Sequence, residues 1–315
     1  MSMKEKVSYI IVTWNNADII KNCIDSLFVY SDVQNEVIVV DNASSDDTCK
    51  VIKESYSDVK LIETGENLGF SKANNIGLKY VSSEYVFFIN PDVIFVENIV
   101  TPMLNILKQN PKIGIVSPRL VYEDRTFQTS ISNYPCAKKL LWYDCRMYKF
   151  LPKHKRRNVA QANYRGKDNF FVDWSYGAAH LCRYSDVNKI GGYPAGYFMY
   201  GEDREFCMMF LDKLGKKNYY MGQCELIHLG GYSEKQVLNS KKVEYVTNAA
   251  MYFVNKYYGK GCLLRYRVLL FITSMVRYAV FSLKCIFNRS QNNINKKVRW
   301  KTSMMATLKY DGRIN

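Results

Sequence analysis

The sequence predicts an α/β protein built on a mostly parallel, doubly wound sheet with helices on both faces. Three observations carry that prediction. Short, uninterrupted apolar runs rich in β-branched and aromatic residues recur through the first hundred residues, as buried parallel strands require. Segments with apolar residues three and four apart alternate with them, in the manner of crossover helices. The polar residues that end the runs, Asn15, Asp41, Asn67 and Asp92, follow one another at 26, 26 and 25 residues, one strand-plus-helix period each time.

Residues 7–12 (VSYIIV) form the first predicted strand, closed by Thr13-Trp14-Asn15-Asn16. Ile20, Ile24 and Leu27 then give residues 17–28 a helical face. Residues 36–40 (EVIVV) make the second strand, ending at Asp41, and Ser44 to Thr48 supply N-cap residue types for a short helix. A third strand over 59–62 ends near Asn67-Leu68-Gly69-Phe70, ahead of a helix carried by Ala73, Ile76 and Tyr80. Residues 85–89 (YVFFI) are the fourth strand, which Asn90-Pro91-Asp92 stops because proline cannot continue a central ladder. In a parallel sheet all four strand-ending residues reach the carboxyl edge, where open α/β sheets bind ligands. Asn and Asp also simply make turns. Four in one register, with a Pro-Asp after a buried strand, argue instead for a cleft holding two carboxylates and two amides.

At 315 residues, 48% hydrophobic, the chain is long enough for about two domains, or one with additions. Its composition excludes a disordered or collagen-like protein. Nine cysteines without a C-x-x-C pair read as free thiols rather than a disulfide framework or zinc ribbon. The first residues run directly into a strand with no signal-peptide core, so a cytoplasmic protein is expected. No G-x-G-x-x-G follows the first strand and no P-loop occurs, which disfavours a dehydrogenase or P-loop NTPase.

The net charge of +15 is uneven. From Tyr245 onward thirteen Lys and Arg face a single acid, Asp311, and a second basic run covers 153–157. Residues 268–287 hold 15 apolar residues of 20, and on a helix Arg267, Ser274, Arg277, Lys284 and Asn288 would make a narrow polar stripe. A core helix, a helix lying in a membrane interface and a spanning helix all fit this pattern. A span would put Arg277 near mid-bilayer at about 2.5–3.5 kcal/mol. An interfacial helix keeps its cations among anionic headgroups, each gaining about 1 kcal/mol. An anionic membrane surface is therefore the expected partner. Nucleic acid is not, because aliphatic residues rather than polar base-readers separate the cations.

Seven motifs, VSYIIVTWNN, VVDNASSDDT, ENLGFSKANNIG, FFINPD, WSYGAA, GGYPAGYFMYGEDREF and HLGG, occur in this order over about residues 7–231. In this the chain resembles the family 2 glycosyltransferases, most nearly the rhamnosyltransferase-like branch that builds bacterial surface polysaccharides such as O-antigen and capsule. The resemblance implies a GT-A fold, Mg²⁺ or Mn²⁺, and inverting, non-processive transfer from a TDP- or UDP-linked sugar to a lipid-linked saccharide. It implies a catalytic domain over 1–240, with a nucleotide-sugar-binding half, 1–118, and an acceptor-binding half, 119–240. The second half carries a basic loop near 134–167, and a basic amphipathic helical extension covers 241–315. The location implied is peripheral, on the inner face of the cell membrane.

The same resemblance sets Thr13 and Asn15 against the nucleoside, Asp41 on the base or ribose, and Asn67, Gly69 and Asn74 around base and sugar. Asp92 stands at the D-x-D position, with Asn90 in place of the first acid, and would carry the metal on the donor. His228 matches a late His that completes a metal site; its alternative is an ordinary loop residue. Glu202-Asp203 matches the E-D motif, whose Asp is the general base, although acids in a first helical turn also favour the helix dipole. One base suffices, since the diphosphate leaves with its charge held by metal while the acceptor hydroxyl loses its proton on the opposite face. Trp174 and Gly177 form a turn where an acceptor sugar can stack on the indole and approach the backbone; a core Trp is the alternative. Two other classes stay open: a nucleotidyltransferase on a similar sheet, and a non-enzymatic basic protein that binds membranes or polyanions.

Overall fold

The computed structural model describes residues 5–144, 147–197, 199–230 and 239–314. The chain divides into two compact units, Met1–Ser132 with Gln161–Glu234, and Asn133–Ala160 with Lys235–Asn315.

In the first unit, β1 (Lys6–Thr13), β2 (Gln34–Asp41), β3 (Lys60–Glu63) and β4 (Tyr85–Ile89) run parallel in the order β3-β2-β1-β4. They are linked by α1 (Ile20–Tyr30), α2 (Thr48–Ser55) and α3 (Phe70–Leu78). Alternation along β1 explains why helices cover both faces. Val7, Tyr9 and Ile11 share one core with Ile20, Ile24 and Leu27 of α1. Ile38 and Val40 of β2 pack on the other face with Ala73 of α3. On that face α3 sits close: a Cβ on Gly77 would lie 2.7 Å from Ile10 Cγ2. Each fully buried aliphatic side chain contributes about 1.5–3 kcal/mol.

The remaining strands are β5 (Val93–Phe95), β6 (Ile113–Val121), β7 (Ile131–Ser132), β8 (Asn169–Val172), β9 (Trp174–Ser175), β10 (Ala179–Arg183) and β11 (Lys217–His228). They extend the sheet as β4-β10-β6-β11-β5, with β8 on β11, while β7 and β9 form a separate pair. β10 is antiparallel to both β4 and β6, and Ala179 lies opposite Ile89. Its first residues therefore enter the sheet at the edge where β4 ends. The helices of this half are α4 (Val100–Gln109), and, later in the chain, Tyr184–Ile190 and Glu202–Leu214.

The second unit is helical. The basic segment expected as a loop near 134–167 instead holds α5 (Ala137–Asp144) and α6 (Lys153–Val159), so that in chain order Tyr184–Ile190 is α7 and Glu202–Leu214 is α8. Both α5 and α6 are too short to print a helical period on the sequence. Residues 133–160 group with the C-terminal helices rather than with the sheet. There α9 (Asn239–Phe287) is broken at Gly259, whose φ of 81° interrupts the helix. The chain beyond packs back: Met251 and Val254 share a core with Tyr266, Leu270 and Tyr310. The last helix, α10 (Gln291–Lys309), is capped by Ser290, whose hydroxyl accepts from Asn293 N. Among the described residues the cysteines are free thiols.

Candidate active site

The ends of β1 and β2 are level, Thr13 opposite Asp41 and Asp41 opposite Glu63. Asp41 is buried, its Oδ2 accepting from Ser44 N at 3.0 Å. Burial and the Asp41 charge together push the nearby Cys49 thiol up to about 12. Thr13 Oγ1 donates to Asn16 Oδ1. Asn15, at a left-handed φ of 53°, joins two loops: its N–H donates to Ser44 Oγ and its Oδ1 accepts from Ser45 N. The equal sequence spacing does not become equal register. Asp41 ends its strand, whereas Asn15, Asn67 and Asp92 lie two, four and three residues beyond theirs.

Asn67 Oδ1 accepts from Asn42 Nδ2 and from Gly69 N, while Asn42 Oδ1 accepts from Leu68 N. The two amides thus fix the loop leading to Gly69, which turns into α3 with φ 78°. Asn74 is buried, and its Nδ2 donates back to Phe70 O in its own helix.

Asp92 follows β4, and the pairing of β11 with β5 sets His228 opposite Val93. His228 Nε2 consequently lies 3.3 Å from Asp92 Oδ1, and Asn90 Nδ2 approaches the same nitrogen at 3.5 Å. The other ring nitrogen, Nδ1, is 2.8 Å from Gln128 Oε1, and Gln128 Nε2 donates to His228 O. A carbonyl oxygen only accepts, so Nδ1 donates to Gln128 and Nε2 is the nitrogen that faces the carboxylate oxygen. Two such atoms this close call for a cation or a proton between them. One carboxylate and one imidazole suit a divalent ion that takes further oxygens from phosphate. Among the described residues no group of three His, Cys, Asp or Glu side chains gathers to hold a metal.

Tyr200 and Gly201, at φ 69° and 107°, turn the chain into α8. Asp203, in its first turn, accepts from Arg204 N at 2.7 Å and from Gly177 N at 3.4 Å. A Cβ on Gly177 would stand 3.2 Å from Asp203 Cβ, so the loop needs a small residue for this approach. Burial raises the Asp203 carboxyl above its ordinary range. Burial, and then the charge of Asp203, push Glu202 up to about 8. Glu202 Oε2 is buried with no hydrogen-bond partner among the described residues. Trp174 is largely buried against Tyr176, 4.8 Å between centroids, with the Arg204 guanidinium 5.9 Å from its ring. One backbone bond ties the two clusters together: Asn90 N donates to Ala178 O at 3.0 Å.

The family profile for glycosyl transferase family 2 matches residues 8–184. The chain belongs to that family. Membership selects the glycosyltransferase over the nucleotidyltransferase and the non-enzymatic binder. Among similar proteins, the low-salt glycan biosynthesis hexosyltransferase Agl10 of Haloferax volcanii is 27% identical over 72% of this chain and 67% of its own. The rhamnosyltransferase WbbL of Escherichia coli is 27% identical over 73% of this chain and 85% of its own. The N-acetylglucosaminyl-diphospho-decaprenol L-rhamnosyltransferase of Mycobacterium tuberculosis is 24% identical over 73% and 78%. Among solved structures, the mannosyltransferase PcManGT of Pyrobaculum calidifontis, in complex with GDP-Man and Mn²⁺, superposes with a TM-score of 0.57. It is 16% identical and covers 98% of this chain and 88% of its own. The family 2 chain thus has the expected GT-A fold, a mixed sheet with a long apolar helical region at its C-terminal end.

Two residues of this edge carry no sequence signal as site residues. Asn42 follows Asp41 inside a recognisable motif, so its neighbour could have drawn attention to it. Gln128 belongs to no motif, and only the fold brings it to His228.

Proposed function

We propose that this family 2 chain is a metal-dependent, inverting glycosyltransferase that moves one sugar from a TDP- or UDP-linked donor to a lipid-linked saccharide during surface polysaccharide synthesis. Rhamnose, named for two of the relatives, is the first sugar to test. The observation that carries the reading is the tie from Asn90 to Ala178, which sets the Asp92–His228 pair and the Asp203–Gly177 pair on one sheet edge.

The nucleoside would lie along Thr13, Asn15 and Asp41, with Asn67, Gly69 and Asn74 walling base and sugar. Asp92 Oδ1 and His228 Nε2 would hold Mg²⁺ or Mn²⁺, which when bound supplies positive charge against the leaving diphosphate. Asp203 takes the proton of the acceptor hydroxyl as its oxygen bonds to the anomeric carbon opposite the breaking C–O bond, which inverts the centre. A pKa that burial raises above the ordinary carboxylate range makes that carboxylate a better base than a surface acid. Glu202, neutral at pH 7, keeps a second negative charge from crowding Asp203. Trp174 and Gly177 would border the acceptor. The decaprenyl diphosphate in the name of one relative, together with the basic C-terminal helices, supports a lipid-linked acceptor and a cytoplasmic, peripheral position on the inner membrane face.

The test is a thermal-shift panel of nucleotides and nucleotide sugars with and without Mn²⁺, repeated on Asp92→Ala. A ligand at about 100 times its Kd adds about 2.7 kcal/mol of stability, an easily read shift. The expected result is a metal-dependent shift with one nucleotide class that Asp92→Ala abolishes. An equal shift in both proteins would remove Asp92 from the donor site.

A further inference from the structure

The C-terminal hairpin is built inside out. In a hairpin that faces water, apolar side chains meet between the helices and charges point outward. Here Arg267 donates through Nε and Nη2 to Thr307 O, Ser274 donates to Ser303 Oγ at 3.3 Å, and the Arg277 guanidinium lies 4.3 Å from the Trp300 ring. The first part of the polar stripe of α9, Arg267, Ser274 and Arg277, is therefore turned onto α10, with Leu270 beside it, while Lys284 and Asn288 further along are exposed.

The opposite face is a continuous apolar ridge: Leu264, Val268, Ile272, Val276, Leu283 and Phe287 recur at helical spacing and are all exposed, from 44% at Ile272 to 89% at Phe287. The helix is long and apolar enough to cross a membrane. Exposed cations, among them Arg265, Lys284, Arg289 and Lys301, stand along the same pair of helices.

We infer that this ridge is the membrane-docking surface of the protein: it enters the headgroup–acyl boundary of an anionic bilayer with the hairpin lying flat, not spanning. An apolar ridge accompanied by cations and almost free of acids is complementary to an anionic lipid surface. The partner helix decides between lying and spanning. α10 packs along α9, and Lys296, Lys297, Arg299 and Lys301 would follow it into hydrocarbon if residues 268–287 crossed the bilayer. Lying flat, the ridge reaches acyl chains while those cations stay among phosphates. This deepens the membrane part of the proposed function and is independent of its transferase part.

The full-length chain, and its Ile272→Glu/Val276→Glu variant, are sedimented with vesicles of phosphatidylcholine alone and of phosphatidylcholine with phosphatidylglycerol. Both positions are exposed, and circular dichroism checks that the helices persist; Ile272→Ala/Val276→Ala provides a milder pair. The parent is expected to bind the anionic vesicles preferentially, the Glu pair at least about tenfold more weakly, and the Ala pair in between. Alkaline carbonate is expected to release the bound parent. Equal sedimentation of parent and Glu pair, equal binding to neutral vesicles, or resistance to carbonate would each overturn the inference. Nucleotide-induced thermal shifts on the same proteins separate the two readings. The Glu pair should keep the parent's shift, and loss of that shift in the parent would defeat the transferase reading while leaving the docking surface standing.

Discussion

His228 Nε2 lies 3.3 Å from Asp92 Oδ1, with Gln128 holding the far nitrogen of the same ring. Nothing local in sequence produces this. The pairing of β5 with β11 brings the two side chains together, and Gln128, from between β6 and β7, holds the ring by its far nitrogen. Gln128→Leu should accordingly weaken Mn²⁺ binding about 10–100-fold while leaving Asp92 and His228 in place. Electron paramagnetic resonance titration of Mn²⁺ with a nucleoside diphosphate present reads this directly. A Gln128→Leu affinity equal to the parent's would refute the positioning role.

Asp203→Asn should lower kcat by about 10²–10⁴-fold, the usual share of a positioned base, and leave the nucleotide thermal shift intact. Full turnover in this variant would take Asp203 out of the mechanism.

Gly177→Ala tests the approach rather than the group. The added Cβ would press on Asp203 Cβ at 3.2 Å, a distance that forces one of them to give. A drop in kcat with little change in melting temperature is expected, because displacement of a base by a few tenths of an ångström costs rate before it costs stability. Unchanged kcat would show that the loop moves freely away.

Glu202 gives a pH dependence with a defined sign. Its pKa is raised from 4.5 to about 8 by burial and by the charge of Asp203. A carboxyl that holds its proton more tightly when folded contributes stability below its unfolded pKa, and loses that contribution as pH rises through the folded value. Stability should therefore fall between about pH 5 and 8 in the parent and fall less steeply in Glu202→Gln, which stays neutral throughout. Melting temperatures of both proteins across that window decide it; parallel curves would contradict the shift.

Asn75 offers a prediction about the fold. Its side chain accepts from Tyr193 N at 2.8 Å and donates to Tyr193 O at 2.9 Å, closing both backbone groups of a residue 118 positions away. Tyr193 is itself stacked on Phe206, 3.9 Å between centroids. Asn75→Ala should cost about 1–3 kcal/mol, the price of two buried backbone groups left unpaired. Urea denaturation showing no loss would mean that water takes over both bonds.

Where the chain is most apolar its sequence was most readable. β4 runs over the residues expected, and β1 and β2 begin and end within two residues of their apolar runs, because a strand buried on both faces leaves no polar interruption. Ser44 to Thr48 announced the start of α2 by their residue types, although its N-cap, Asp47, makes no side-chain capping bond. Three things were not legible. The antiparallel entry of β10 between β4 and β6 leaves no local mark, since nothing in AHLCR tells which way the strand runs. The contact of Gln128 with His228 depends on strands far apart in sequence. The stripe of Arg267, Ser274 and Arg277 was visible, but the sequence alone does not say that α10 lies against it.

The placement of β10 also sets an order of assembly. Both of its neighbours precede it in the chain, so during synthesis β4 and β6 wait with unpaired edges until residue 183 has been made. The β3-β2-β1-β4 half is complete once β4 has been made and can form early; the other half needs the late strand to be threaded between two earlier ones. A nascent or truncated chain that stops short of β10 thus lacks Asp203, leaves Gly177 without its partner, and presents open strands to its neighbours. Its hazard is aggregation.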